Sequence, residues 1–296
     1  VARYRPEMSA ASLEPASAVT ATDEYGNVRQ LRIAGEYALT LYLDRYELVT
    51  LMTLGQQPEW LALGYLKNQG LIEDYREIRS VQVDWETEAA AVATSRDEDW
   101  RRRLQKRTVT TGCGQGTVYG DLRQRLARTR LRPARPLRQS EIYALLRQLA
   151  SHNQVYRAAG AVHGCALCRG EEVLIFAEDV GRHNAVDIIA GRMWLEETDG
   201  ADKIFYTTGR LTSEMVIKVA QMGIPALLSR SGITRMGLEL ARQTGIVMLA
   251  RVQGRQHFLV YHGDEHVVRD LKLPRKLAVA GAAAAGAAIP GRYSPR

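Results

Sequence analysis

Between Val28 and Leu43 the apolar residues fall on alternate positions, Leu31/Ile33 and then Leu39/Leu41/Leu43, which is the spacing of half-buried strands. Gly35-Glu36 between the two sets predicts a turn, and Tyr46 to Thr53 continues extended. The period then changes. Pro58 stands where a helix begins, Trp60, Leu61, Leu63, Gly64, Tyr65 and Leu66 make an apolar helical face, and Gly70 closes it. Ile78 to Trp85 and Ala89 to Thr94 return to strand patterns, so residues 28–110 predict a small α+β domain. A helix is expected over Gln139 to His152, with Ser140 as its N-cap. From Val155 strands and helices alternate. Strands are expected over Ala161–Leu167, Glu172–Ala177, Lys203–Thr207, Pro225–Leu228, Ile246–Ala250 and His257–Tyr261. Helices are expected over Arg182–Trp194, Ser213–Met222 and Thr234–Thr244. That succession argues for an α/β sandwich around a mixed sheet over residues 139–270. Residues 1–27, rich in Ala, Ser and Thr, and 271–296, an Ala/Gly tract, read as flexible ends; residues 111–138 read as a linker.

Composition narrows the class. The chain has 296 residues and 46% hydrophobic content, enough for a sizeable core, and no apolar run long enough to cross a bilayer. The first residues lack the apolar centre of a secretory signal. Three cysteines do not look like a disulfide framework, which points to a reducing, cytoplasmic setting. The net charge of +7 is concentrated: from Arg101 to Arg138 there are twelve Lys and Arg against one acid, Asp121. That concentration suggests an anionic partner, a solvated disordered arm being the alternative. A nucleic acid is the weaker choice, because Tyr119 is the only aromatic residue in that arm to stack on bases.

The candidate chemistry begins inside the basic arm. In Thr110-Thr111-Gly112-Cys113-Gly114-Gln115-Gly116-Thr117 a cysteine sits among glycines with arginines on both flanks, a setting that favours an accessible thiolate. The alternative is a glycine-rich linker with an incidental cysteine. His163-Gly-Cys165-Ala-Leu-Cys168 has metal-ligand spacing and the form of a redox dithiol, but strand alternation would point the two cysteines to opposite faces as small core residues. The polar run Glu178 to Asp187 lies between a strand and a helix, where α/β folds place ligands; there Arg182 is placed to hold a phosphate and His183 to bind an anion or move a proton. Thr207 to Ser213 and Ser229 to Thr234 are strand-to-helix loops suited to phosphate groups, and Gln253-Gly254-Arg255 is a turn whose arginine suits another.

Thr111-Gly112-Cys113-Gly114, followed by Glu178-Asp-Val-Gly-Arg-His-Asn-Ala-Val-Asp187, resembles the formate dehydrogenase accessory sulfurtransferase family, FdhD. The match also takes in Ala62 to Leu66, Ser213 to Val216 with Lys218, and Gly254-Arg255, and spans roughly Tyr37 to Tyr261. The resemblance implies a cytoplasmic protein, expected as a homodimer, whose C-terminal domain has a cytidine-deaminase-like, three-layer α/β fold. It implies a carrier that accepts persulfide sulfur from a cysteine desulfurase and passes it to the molybdenum of a bis(molybdopterin guanine dinucleotide) cofactor, so that formate dehydrogenase becomes active. Cys113 would bear the persulfide. Ala250, Arg251, Val252, Gln253, Gly254 and Arg255 fall on the family's cofactor-contacting segment. The deaminase zinc signature is absent and no protein-ligated metal is expected. One departure matters. The family loop reads Cys-Gly-x-Cys, and its second cysteine is here Gly116. Cys113 therefore works alone unless Cys165 or Cys168 supplies another thiol; otherwise the chain is a non-catalytic chaperone that holds the cofactor.

Overall fold

The computed structural model describes residues 4–95, 108–109, 116–117, 126, 131–253 and 257–271. The N-terminal half contains β1 (Glu7–Met8), β2 (Ala16–Thr22), β3 (Val28–Ala34), β4 (Tyr37–Leu43), β5 (Tyr46–Thr53), α1 (Pro58–Asn68), β6 (Ile78–Asp84) and β7 (Ala89–Thr94). Two short strands, β8 (Thr108–Val109) and β9 (Gly116–Thr117), pair antiparallel after it. The C-terminal half contains β10 (Leu137–Arg138), α2 (Gln139–His152), α3 (Gln154–Ala159), β11 (His163–Arg169), β12 (Glu172–Asp179), α4 (Arg182–Leu195), β13 (Ile204–Thr207), α5 (Ser213–Gln221), β14 (Ala226–Ser229), α6 (Arg235–Thr244), β15 (Val247–Gln253), β16 (His257–His262) and β17 (Val267–Val268).

Five strands form the N-terminal sheet in the order β1-β6-β7-β4-β5, with α1 packed against it. The alternation of Leu39, Leu41 and Leu43 turns all three into the core. The C-terminal sheet has the order β12-β11-β13-β14-β15-β16; β13, β14 and β15 are parallel and the outer pairs antiparallel. One face of this sheet, through Cys165, Leu167, Phe205, Leu227 and Met248, joins α4, α5 and α6 in a core that runs on through α1 into the N-terminal sheet. The other face, through Ala166, Cys168, Ile204, Tyr206 and Leu228, is covered by α2. The result is a three-layer α/β arrangement joined to a smaller α+β unit by one shared core.

The join is backbone to backbone. Gly64 of α1 lies against the carbonyl of Asp187, and Gly191 of α4 against that of Trp60; an ideal Cβ on either would fall 1.7 Å or 2.1 Å from those oxygens. Only hydrogen at Cα permits so close a helix crossing.

Two expectations need correction. Residues 4–27 are not a flexible end: β1 pairs with β6, and β2 pairs with β3 over its full length. The Ala-Ser-Ala-Val-Thr-Ala-Thr stretch has too little apolar contrast to reveal a strand, which depends on backbone bonds to its partner. Ser140 is not a cap either. It lies inside α2, and its backbone N–H (3.0 Å) and hydroxyl (2.5 Å) both donate to Asp270, a carboxylate from the far end of the chain that takes over the capping role. Residues 272–296 lie outside the described residues.

Candidate functional site

The parallel strands β13, β14 and β15 all end at one edge of the C-terminal sheet, where β12 also ends and β11 begins. This edge gathers His163, the start of α4, the loops after Thr207 and Ser229, and Arg251 to Gln253. It is the position where open α/β sheets hold ligands. The loops are tied together. Arg230 N–H donates to Thr207 O, Leu211 N–H to Gly232 O and Arg251 N–H to Ser231 O, each at 3.0 Å. Thr207 and Ser229 are buried, and their hydroxyls hold the loops: the Gly209 N–H donates to Thr207 Oγ1 at 3.0 Å, and Ser229 Oγ donates to Gly209 O at 2.6 Å. Those two hydroxyls therefore do not face a phosphate.

On the α2 face a cleft of about 500 Å³ opens between Leu146, Leu149 and Asn153 of α2 and its end, Tyr206, Arg230, Val252 and Gln253. Burial pushes the Tyr206 hydroxyl up to about 12, so it remains a neutral donor. The Arg230 guanidinium lies 5.5 Å from the Tyr156 ring centroid. Arg251 takes a left-handed backbone, φ 53°, at an irregularity in the β15–β16 pairing, which exposes its side chain while Ala250 and Val252 turn into the core. Neither Arg230 nor Arg251 has a carboxylate partner among the described residues. Of the expected cofactor segment, Arg251 and Gln253 thus present side chains outward, Val252 touches the cleft from the core, and Ala250 is enclosed.

On the α4 face most of the Glu178–Asp187 run is architectural. Glu178 accepts from the backbone N–H groups of Val155 and Tyr156, at 3.0 and 2.9 Å, and so caps α3. Asp179 accepts from Thr53 Oγ1 (2.5 Å), Leu54 N (2.9 Å), Gly181 N (2.8 Å) and Asn184 Nδ2 (2.8 Å), fastening β5 to the start of α4. Asp187 receives Lys218 Nζ at 2.9 and 2.7 Å and Asn68 Nδ2 at 2.6 Å. Motif residues were legible here as polar, but their partners Thr53, Asn68 and Glu214 were not; a lysine between Ile217 and Val219 in an apolar helix was the one local sign of a buried charge pair.

Arg182 and His183 are different. Arg182 is 8% exposed and His183 2%, and neither ring nitrogen of His183 nor Nε of Arg182 has a hydrogen-bond partner. His183 Nε2 lies 3.5 Å from Glu214 Oε2. Burial first, then Lys218, Arg182, His163 and Arg210, holds the His183 pKa down to about 2. The ring is neutral near pH 7, which removes the expectation that it shuttles protons there. The unfolded chain takes up a proton near pH 6.5 and the folded one does not, so stability falls as pH drops below that value. The slope from this group is about 1.4 kcal/mol per pH unit. His183→Gln is expected to flatten the dependence of urea unfolding on pH between about 6 and 5 by roughly that amount; an unchanged slope would mean that the ring protonates in the fold.

Cys165 and Cys168 are both fully buried and on opposite faces, one in each core. Burial pushes the Cys165 thiol up to about 12 and the Cys168 thiol higher still. They neither share a metal nor replace the missing thiol, since a buried thiol of raised pKa yields almost no nucleophilic thiolate. Cys113, Gly254 and Arg255 lie outside the described residues. Gly116 lies in β9, opposite Val109. No group of three or more metal-binding side chains is placed to hold an ion among the described residues, and no described helix is long and apolar enough to cross a membrane.

Residues 34–268 match the profile of the FdhD/NarQ family. The sulfur carrier protein FdhD of Listeria monocytogenes is 30% identical over 238 residues, covering 79% of this chain and 91% of that protein. Its namesake in Bacillus subtilis is 27% identical over 248 residues, covering 82% and 94%. A crystal structure from Desulfotalea psychrophila, described as a formate dehydrogenase accessory protein, superposes with a TM-score of 0.68 at 25% identity, covering 87% of this chain and 100% of that one.

Proposed function

The chain belongs to the FdhD/NarQ family, and we propose that it is a single-thiol sulfur carrier in the maturation of formate dehydrogenase. Cys113 thiolate attacks the terminal sulfur of a persulfide on a cysteine desulfurase. A new S–S bond forms on Cys113, the donor's S–S bond breaks, and the donor leaves as a thiolate. The acceptor, the molybdenum of a bis(molybdopterin guanine dinucleotide) substrate, would supply the electron pair that takes the terminal sulfur; the Cys113 S–S bond breaks and Cys113 leaves as a thiolate. The carrier is cytoplasmic and acts as a homodimer.

The observation that supports this reading most is the cleft beside Arg230 and Arg251. A dinucleotide phosphate needs cations that no carboxylate already neutralises, and these two exposed guanidiniums meet that need. A volume of about 500 Å³ is within the range of nucleotide-sized sites. Gly254 and Arg255 follow directly in the chain. Arg182 and His183, placed with the cofactor on sequence grounds, are too enclosed for a solvated phosphate.

Because Cys165 and Cys168 are sealed in the core, no described thiol is available to attack the Cys113 persulfide and expel hydrosulfide. Within this chain the route left is direct attack of the acceptor on the terminal atom. The same fact favours one second reading, a cofactor-holding chaperone that transfers no sulfur. Incubation with a cysteine desulfurase and cysteine, followed by mass spectrometry, separates the two. Sulfur transfer requires an added sulfur on Cys113, absent from Cys113→Ser; an unlabelled Cys113 beside a loaded desulfurase leaves the chaperone.

A further inference from the structure

Arg182 makes no hydrogen bond or ion pair among the described residues, although its side chain is almost entirely enclosed. Its Nε is shut off from water without an acceptor, and a buried polar group left unpaired is costly, so an anion held against it would satisfy it. Its stem lies over Gly209, whose ideal Cβ would fall 3.0 Å from Arg182 Cδ. Beside it neither ring nitrogen of His183 makes a hydrogen bond, and Nε2 lies 3.5 Å from Glu214 Oε2.

Two helix N-termini meet at this point. Arg182 and His183 open α4, and Gly181 before them gives the helix no side-chain cap. Thr212 precedes α5, again without a side-chain cap, and its hydroxyl is buried and unbonded. Contact between His183 and Glu214, the second residues of the two helices, brings these starts together. Each contributes the partial positive charge of a helix N-terminus. Arg210 and His163 both act electrostatically on His183, and His163 Nδ1 is 3.4 Å from Thr208 Oγ1. The acids nearby are already engaged: Asp187 with Lys218 and Asn68, and Glu214 between Lys218 at 4.0 Å and His183 at 3.5 Å. The corner is separated by the sheet from the Arg230 cleft, since Tyr206 faces α2 while α4 and α5 lie on the other side.

We infer that the corner walled by Arg182, His183, Arg210 and His163 is a binding site for a sulfur monoanion, either free hydrosulfide or the terminal sulfur of a persulfide. A single soft atom needs less room than a hydrated phosphate, and a neutral imidazole supplies a hydrogen-bonding group without protonating the sulfur. The persulfide source rests on the sulfur-carrier reading; the hydrosulfide site does not.

The test uses the full chain carrying Cys113→Ser, so that no covalent chemistry intervenes, titrated with sodium hydrosulfide by calorimetry under anaerobic conditions. One site is expected, weakened about tenfold or more by Arg182→Met and largely retained by Arg182→Lys, as loss of a charge-assisted contact requires. No binding, or equal binding by the Met variant with an unchanged melting temperature, overturns the site. Binding of phosphate at this corner in preference to hydrosulfide overturns its sulfur assignment. A second arm distinguishes the sources. Chain loaded at Cys113 is treated with cyanide, and slow loss of sulfur that becomes about tenfold faster in Arg182→Met assigns the persulfide; the same rate in both assigns free hydrosulfide. Failure of Cys113 to load at all counts against the carrier reading and leaves the first arm standing.

Discussion

Gly64→Ala is expected to abolish the soluble, folded protein. The added methyl group would sit 1.7 Å from the carbonyl oxygen of Asp187, 2.5 Å from its carbon and 2.8 Å from the nitrogen of Gly191. All three are backbone atoms in the middle of α4, so no rotamer change relieves the clash. The helices would have to separate by roughly 1.5–2 Å to restore van der Waals contact. That movement breaks more than the crossing. Asn68, one turn further along α1, would withdraw its 2.6 Å bond from Asp187, and Thr53 and Leu54 would be pulled from Asp179. Ordinary overpacking against side chains costs about 1–3 kcal/mol. A backbone clash that also strips two buried carboxylates exceeds that range, against a total stability of about 5–15 kcal/mol. Gly232→Ala provides the control: its Cβ would meet nothing within 4 Å, and its backbone is not left-handed. Thermal melting of the two purified variants decides the matter, and a Gly64→Ala protein melting with the Gly232→Ala control would refute the backbone crossing.

What the sequence makes legible follows from what each feature depends on. Strands β4, β11, β13 and β14 and helices α1, α4 and α5 rest on local periodicity and were readable to within a few residues. The strand β2 was not, because small polar residues carry no alternation. Strands β10 and β17 are two residues each and exist only through one another. The motif from Glu178 to Asp187 was visible as an excess of polar residues at a strand end, but local sequence does not say which of them face a ligand. Asp179 and Asp187 are consumed by partners more than a hundred residues away, Thr53 and Asn68. Cys165 and Cys168 were decidable from parity alone: three residues apart on a strand, they point to opposite faces. The strained backbone at Arg251, which turns one arginine outward between two core residues, had no local signal.

Lys218→Met is expected to destabilise the fold by about 3–5 kcal/mol, the cost of stripping one partner from a buried ion pair. Lys218 is 2% exposed and Asp187 0%, and the ammonium touches both carboxylate oxygens. Without it Asp187 keeps only Asn68, with Glu214 as a second acid nearby. Burial already pushes the Asp187 carboxyl up, and Lys218 is the largest influence opposing it. In the variant that opposition is gone, so the folded carboxyl protonates at higher pH than the unfolded one. Its contribution to stability is then present at low pH and lost as pH rises through the raised value. Lys218→Met should therefore be weakest near neutrality and recover on acidification. Asp187→Asn combined with Lys218→Met removes both charges, and urea unfolding of the four proteins at neutral pH should show the double variant regaining about 2–3 kcal/mol over Lys218→Met. Additive losses would mean that the two charges do not sense each other. The outcome reaches the functional edge as well. Lys218 stands first among the charged neighbours that keep His183 neutral, so its removal should let the imidazole take up a proton at higher pH. The pair that secures α4 to α5 thus also adds to the burial that keeps the ring between them neutral.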